Sequence, residues 1–426
     1  MEDAKVLERM RDDWNSRAGE DANYYVAFGR RDQDEEEFFA TGAEMAQSLS
    51  LELKRFPGRD AALEIGCGPG RLMRPMSRHF REIYGIDVSD EMIRLARRRL
   101  AGTPNAHPLH ASGSDLKAFA DETFDFVYSY AVFQHIPSRE VVFNYLREAR
   151  RVLKTGGILR CQINGLPDTA RQYDTWSGVR ITAAEISAFA LDHDLQLLAL
   201  EQPLTQYMWI TCRKRPAGWR AALRPANASI RSIGNALTGE AAVPDRGVMS
   251  AISLWVENLP READINGLEV RAEGALCRVA YIGEPEADSV TQVNVELPQG
   301  VRTGLVPVSI AWAGAALAED GWVRVIPAPP NVPRITVVSD GVNLLSGTKI
   351  VTGSVKVTMV NVEHPEQFAA KVDDAPARDV EWFCADPGIM RYEFNFHIPQ
   401  TISPGAHNVW LTMGRRAFAP IGIEVS

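Results

Sequence analysis

Apolar and polar positions recur along this chain in two rhythms, and the change between them divides it. From Glu2 to Trp14, and again between Asp34 and Phe56, apolar residues return at helical spacing, which predicts a helical N-terminal segment. Residues 60–165 alternate short apolar runs with helical stretches, the pattern of a parallel, doubly wound α/β sheet. Ala62–Ile65 and Ile83–Ile86 read as strands. Around Leu146–Leu159 a helical run is expected to stop at Gly156-Gly157, with a strand after it. Ile181–Asp192 predicts another helix, with Thr182 as its cap and Glu185 completing a capping box. Leu195–Leu200 and Met208–Arg213 read as two more strands, and this α/β domain is expected to end near Arg215.

From Ser250 onward the rhythm has period two. Val290–Leu297 alternates strictly, and Leu305–Trp312 follows after a glycine-containing turn. Val355–Val360, Arg391–Phe396 and Asn408–Met413 have the same character. Short strands, frequent turns and no convincing helix predict two all-β, immunoglobulin-like sandwiches, at 249–328 and 333–426, joined by a stiff Ala328–Pro333 segment. Residues 216–248 read as a linker broken by proline. The alternative there is an amphipathic helix on Trp219, Leu223, Ile230, Ile233 and Leu237, with Arg220, Arg224 and Arg231 opposite, able to lie on an acidic membrane surface.

The chain has 426 residues, 45% hydrophobic and 24% charged, enough for two to four ordinary globular domains at about 150 residues each. A net charge of -9 argues against nucleic acid as the main partner, because a phosphate backbone needs concentrated Lys and Arg. No run of about 18 apolar residues predicts a membrane span. The acidic start, Met1-Glu2-Asp3-Ala4-Lys5, does not read as a signal peptide. Five cysteines, at 67, 161, 212, 277 and 384, lack any C-x-x-C spacing. That pattern fits reduced thiols in a cytoplasm and leaves a metal site unsupported.

The chemistry concentrates in Ala62-Leu63-Glu64-Ile65-Gly66-Cys67-Gly68-Pro69-Gly70-Arg71-Leu72. It reads as an apolar strand, an acid at the strand's exit, three glycines and a helix start. Such a turn lets a nucleotide-like ligand lie against the backbone. The strand Ile83–Ile86 then ends in Asp87, 17 residues after Gly70, where a Rossmann-type site binds ribose hydroxyls. An NAD site expects G-x-G-x-x-G, whereas these glycines fall as G-x-G-x-G. Glu64 beside the turn would repel a pyrophosphate and suits a cationic ligand without phosphate.

This segment resembles motif I of class I S-adenosylmethionine (SAM) methyltransferases, and three further segments follow in that family's order. They are Ser112-Gly113-Ser114-Asp115-Leu116, then Phe124–Pro137 with its Phe-Asp-Phe-Val-Tyr-Ser start and His-Ile-Pro end, then Val152-Leu153-Lys154-Thr155-Gly156-Gly157. The resemblance covers residues 1–215, about half the chain, and implies a Rossmann-like fold with SAM as cofactor. Matched position by position, it implies that Gly66, Cys67, Gly68 and Gly70 form the cofactor turn, with Glu64 near the methionine end. Asp87 would bind ribose, Val88 and Met92 would line the adenosine, and Asp115 and Leu116 would hold adenine. Ser129 and Tyr130 would lie beside the methionine moiety. Strands six and seven would form an antiparallel hairpin at the sheet edge. The loop Asn23–Arg31, with Tyr24, Tyr25, Phe28 and Arg30, and the later Phe38 and Phe39, match a lid over the pocket, or else simply pack helices on the sheet.

His135, after the fourth strand, is the candidate base for an acceptor proton. A His-Ile-Pro turn also occurs in this family as a purely structural feature, with the imidazole bonded to backbone. The phrase from Gln292 to Ile310 resembles bacterial immunoglobulin-like (TIG-type) repeats. Trp255, Trp312, Trp322, Trp382 and Trp410 are either sandwich core or sugar-stacking surfaces. Sheet edges there offer a route to homo-oligomers. Taken together, the sequence predicts a cytoplasmic SAM-dependent methyltransferase acting on a hydroxyl or other nucleophile of a small molecule or glycan. The alternative is a SAM-binding but catalytically silent scaffold whose sandwiches bind carbohydrate or self-associate.

Overall fold

The computed structural model describes residues 2–27, 33–168, 173–221, 227–247, 249–286, 288–328, 332–342, 347–386 and 389–426. Phe28, Arg30 and Arg31 of the expected lid, Leu223 and Arg224 of the alternative helix, and the centre of the Ala328–Pro333 segment lie outside them. The chain forms two compact units. One comprises Met1–Ile233, Ser253–Glu296 and Pro307–Trp322; the other comprises Gly234–Ile252, Leu297–Val306 and Val323–Ser426. These units do not follow the boundaries expected at 215, 248 and 328.

In the first unit, helices α1 (Glu2–Ala27) and α2 (Glu35–Ser50) precede the sheet. The helix expected over Glu2–Trp14 therefore runs on, with a kink at Asp21. Asp21 is extended there, and its carboxylate accepts the Tyr24 amide, as an N-cap does for a new helical segment. The sheet core then follows as β1 (Ala61–Ile65), α3 (Met73–Met76), β2 (Glu82–Asp87), α4 (Asp90–Arg99), β3 (Ala106–His110), β4 (Phe124–Ser129), α5 (Arg139–Val152), β5 (Leu153–Ile163), α6 (Ala183–Asp192), β6 (Leu195–Glu201) and β7 (Met208–Lys214). Strand order is β3-β2-β1-β4-β5-β7-β6. The first five strands are parallel, and β7 runs antiparallel to both its neighbours. All five residues of β1 and all six of β4 are buried, as in a sheet covered on both faces. Asp34, Ser89, Ser138 and Thr182 cap α2, α4, α5 and α6 with side-chain oxygens, and Thr182 with Glu185 makes the expected capping box.

Two local expectations are corrected. Gly156-Gly157 does not end a helix: α5 stops at Val152, and the glycines lie inside β5. There the register to β4 jumps from Phe124↔Leu153 to Phe126↔Ile158, so the glycines serve a bulge. Nor does the β6–β7 hairpin form the sheet edge. Strand Arg278–Ile282 pairs antiparallel with β6 through Tyr281↔Ala199, and Val290–Glu296 pairs with that strand in turn. Strands expected in a separate sandwich thus continue the α/β sheet.

Buried polar contacts fix this continuation. Gln196 on β6 donates to the carbonyls of Arg261 and Ala263 at 2.7 and 2.8 Å. Arg278 donates to Leu200 O at 2.8 Å, and Arg55, just after α2, donates to Ile282 O at 2.9 Å. Arg215, past the end of β7, pairs with Asp264 at 2.7 Å with both side chains buried.

In the expected linker, residues Ser229–Asn235 and Ala242–Pro244 are strands, so Ile230 and Ile233 do not lie on a helix. Within the second unit, four strands in the order Arg334–Asp340, Ser354–Val360, Arg391–His397, Arg378–Asp386 make one sheet. A second sheet contains Ile421–Val425, Gly405–Met413 and Phe368–Val372. Val355, Val357, Phe394 and Phe396 of the first pack with Phe368, Val409, Leu411 and Ile423 of the second in one core. Phe368 stacks on Phe394 with ring centroids 4.0 Å apart, so residues 334–425 form a two-layer sandwich. Trp312 is core at 4% exposure, whereas Trp410, Trp382 and Trp322 are 40%, 39% and 60% exposed.

Arg215→Met leaves Asp264 buried and unpaired, so chemical denaturation should show a loss of about 3–5 kcal/mol. The double variant Arg215→Met/Asp264→Leu should recover more than half of that. A single variant within about 1 kcal/mol of the parent would mean that the pair does not anchor the added strands.

Candidate active site

The strand order reverses between β1 and β4, and the crevice at their carboxyl ends is where open α/β sheets bind ligands. The chain leaves β1 through the glycine turn. Gly66 and Cys67 both donate their amides to Ile86 O on β2, at 2.8 and 2.9 Å, and Gly70 donates to Cys67 O at 3.0 Å. Gly66 has φ +73, and a Cβ placed on it would sit 2.3 Å from Val132 of the loop after β4. Only glycine meets both conditions. Gly70 repeats the case, with φ +87 and Leu100 at 2.8 Å from a Cβ.

Asp87, at the end of β2, folds back onto this turn. One carboxylate oxygen accepts the Gly68 amide at 2.9 Å and the other accepts the Ser89 amide at 2.9 Å. Desolvation raises its pKa, and those amides together with His110 oppose the rise. Glu64 is buried at 3% exposure, and Tyr128 on β4 donates to it at 2.9 Å. Burial pushes the Glu64 carboxyl up to about 8, against the pull of Tyr128 and Arg71. In this state Glu64 is mostly protonated at neutral pH, and a cation placed beside it would ionise it.

Arg71 is the site residue that sequence reasoning passed over, although it directly follows the last glycine of the motif. Its guanidinium lies 5.6 Å from the Tyr130 ring and 6.0 Å from Phe38, and it donates to Thr41 at 3.1 Å. Its Nε is buried without a hydrogen-bond partner among the described residues. A buried, unpaired guanidinium nitrogen is costly to leave, and it suits the carboxylate of an amino-acid-like ligand. The glycine cradle, the acid at Glu64 and this open donor together fit a cofactor with a nucleoside, a cationic centre and an amino-acid end.

The other predicted residues fall in two groups. Glu64, Gly66, Cys67, Gly68, Gly70 and Asp87 converge on the turn, with Tyr130 beside Arg71. Val88 borders the same region, 2.8 Å from a Cβ on Gly113. Met92 and Leu116 are instead built into apolar clusters, Met92 against Ala18 and Ala22 of α1. The Ser129 hydroxyl donates to Ile65 O at 2.9 Å, tying β4 to β1. Asp115 accepts the Lys117 amide at 3.2 Å and pairs with its ammonium at 3.1 Å.

Helix α1 covers this end of the sheet. Asn15 accepts from the Ser89 hydroxyl and the Glu91 amide at 2.7 and 3.2 Å, and Val26 lies 3.5 Å from a Cβ on Gly68. Arg17 donates to Thr175 and stands 4.7 Å from the Trp14 ring and 5.4 Å from Trp176. His135 is buried in this group. Its Nδ1 lies 3.1 Å from Trp176 O, and its ring packs edge-on to Trp14 at 5.5 Å. A carbonyl only accepts, so Nδ1 carries the proton and the other ring nitrogen is the acceptor. Burial, with Arg17 nearby, pushes the His135 pKa down to about 4.

A lowered histidine pKa costs stability where the unfolded chain is protonated and the folded one is not. The stability held above pH 6.5 is lost as pH falls toward 4, by on the order of 3 kcal/mol. His135→Gln should lack this part of the acid sensitivity when the two stability–pH curves are subtracted. A flat difference curve would contradict the burial of a neutral imidazole.

The sequence model of a methyltransferase domain family matches residues 63–161, which contain the glycine turn, Asp87, Asp115 and β4. The trans-aconitate 2-methyltransferase of Rhizobium rhizogenes is 32% identical over 107 residues, 24% of this chain and 38% of its own length. The ubiquinone biosynthesis O-methyltransferase of Cereibacter sphaeroides is 33% identical over 119 residues, 28% of this chain and 46% of its own. The chain thus spans less than half the length of these relatives. Among solved structures, the magnesium protoporphyrin IX methyltransferase of Synechocystis with bound S-adenosylhomocysteine aligns over 48% of this chain and 97% of its own, at 15% identity and a TM-score of 0.36. Residues 63–161 of this chain thus match a methyltransferase domain, and that stretch is set in a larger sheet.

Proposed function

We propose that the whole chain transfers the methyl group of S-adenosylmethionine to a hydroxyl or other nucleophile on a small molecule or glycan. One observation carries the reading: the glycine turn, the ribose-type acid Asp87, the buried acid Glu64 and the open nitrogen of Arg71 meet at the switch point of the sheet. In this reading Gly66, Cys67, Gly68 and Gly70 let the ligand lie on the backbone, and Asp87 takes the ribose hydroxyls. Val88 and Met92 wall the adenosine, and Asp115 and Leu116 border adenine. Glu64 faces the cationic amino-acid end, and Arg71 holds its carboxylate. Ser129 and Tyr130 close the methionine side. SAM supplies a sulfonium-activated methyl; the chain aligns the reactants and excludes water. His135, neutral at physiological pH, is the proposed proton acceptor. An oxygen acceptor agrees with the name of the O-methyltransferase relative. We also read the strand-rich remainder as immunoglobulin-like and the protein as cytoplasmic. Its five cysteines, all buried and unpaired, support a reducing compartment.

Isothermal titration with S-adenosylhomocysteine tests the cofactor part. Binding near micromolar, about -8 kcal/mol, should weaken roughly 10- to 100-fold in Asp87→Ala, which loses hydrogen bonds to a charged group. At pH 7 the ligand's ammonium should ionise Glu64, whose carboxyl otherwise titrates at about 8. Binding should then release a proton, and affinity should rise with pH up to that value. Titration in two buffers of different ionisation enthalpy reads this release, which Glu64→Gln should abolish. No binding to the parent chain would leave the turn as a relic of the fold.

A further inference from the structure

A row of side chains leads away from the glycine turn along the end of the sheet where the parallel strands finish and β7 begins. Glu64 on β1 is paired with Tyr128 on β4; two residues beyond that pair lie Gly66 and Tyr130. Ser129 pairs with Cys161 on β5, so Tyr130 is level with Gln162. Gln162 lies directly opposite Trp209 on β7, and Trp209 lies opposite Glu201 on β6. Directly opposed residues share one sheet face, with Cβ atoms about 5 Å apart. Tyr130, Gln162, Trp209 and Glu201 therefore form a continuous shelf that starts at the cofactor turn.

The chemistry of this shelf is specific. Tyr130 and Trp209 are nearly parallel, with ring centroids 5.8 Å apart and planes at 9°. Arg160 holds Trp209 from one side, 4.5 Å from its ring, and is itself neutralised by Glu201 at 2.7 Å and Glu52 at 3.9 Å. Its positive charge is therefore already balanced and is not offered to an anion. Gln162 is 3% exposed, and its side-chain carbonyl has no hydrogen-bond partner among the described residues. A buried amide oxygen without a donor is rare in native structures and calls for one. Beside this aromatic pair and an open acceptor, the matching ligand is a flat or flat-faced neutral ring with hydroxyls on its rim. A carboxylate would meet Gln162 O and Glu201 with the wrong charge.

We propose that this shelf binds the methyl acceptor, and that the acceptor is a neutral hydroxylated ring, packed against the Trp209–Tyr130 pair, with Gln162 accepting a hydrogen bond from one of its hydroxyls. The inference rests on the methyl-transfer reading above and deepens it. An aromatic diol and a sugar share this chemistry, and the test separates them.

The full chain, saturated with S-adenosylhomocysteine, is titrated with catechol, methyl glucoside and citrate. One of the two hydroxylated rings should bind, at least tenfold tighter than citrate; which one names the source. Trp209→Ala and Gln162→Leu should each weaken that ring about tenfold, with S-adenosylhomocysteine affinity within twofold of the parent. Trp209→Phe keeps the ring and should retain most of the affinity, which guards against a folding defect in the alanine variant. Preference for citrate, binding of none of the three, or equal affinity in both Trp209→Ala and Gln162→Leu overturns the proposal. If S-adenosylhomocysteine binds while the shelf fails, the cofactor reading stands alone; if it does not bind at all, both fall.

Discussion

Everything at the active end of this protein depends on one close passage of backbone, where the chain leaves β1 at Gly66. Its left-handed φ turns the chain out of the sheet, and the missing Cβ admits Val132 from the loop after β4. Two strands that are neighbours in the sheet but whose paired residues are 64 apart in sequence are locked at this point. The amides of Gly66 and Cys67 are both spent on Ile86 O, so the third strand of the switch point is locked as well. Asp87 then bonds the Gly68 amide and closes the turn from the β2 side. Asp87 is thus fixed in place by the turn whose amide it accepts, before any ligand arrives.

The same closeness explains the buried charges. Glu64, Asp87 and Arg71 lie within one poorly solvated region, and no tight ion pair links Glu64 to Arg71. Glu64 takes its hydrogen bond from neutral Tyr128, and Arg71 rests on aromatic rings and Thr41. Desolvation raises the acids and lowers the arginine's pKa, so each group is held away from its preferred charge state. Such an arrangement costs stability in the free chain. A ligand bringing an ammonium to one group and a carboxylate to the other would relieve it.

The turn was legible in the sequence because its signals are local: glycine spacing, strand exits and an acid 17 residues on. Capping at Thr182 was legible for the same reason. Arg71 was not, since what defines it is Phe38 and Thr41 on a helix 30 residues earlier, together with Tyr130. Gly156-Gly157 misled because glycine marks both helix ends and strand bulges; the difference lies in the register with β4, which no local pattern records. Period-two alternation correctly marked Val290–Glu296 as a strand but carries nothing about which sheet it joins.

That last point changes how the extra strands are understood. A methyltransferase sheet ending at β6 would present an open strand with unpaired amides and carbonyls, a template for association. Here Arg278–Ile282 takes that edge. The buried Arg215–Asp264 pair and the Gln196 amide tie residues 261–264 to the end of β7 and to β6. Long-range, buried polar contacts of this sort tolerate little misplacement, because an unpaired member costs several kcal/mol in the interior. The added strands are therefore specified as an integral extension of the α/β sheet. Glu201, on the strand to which that extension pairs, lies opposite Trp209 of β7, so the register at this end of the sheet is held from both sides.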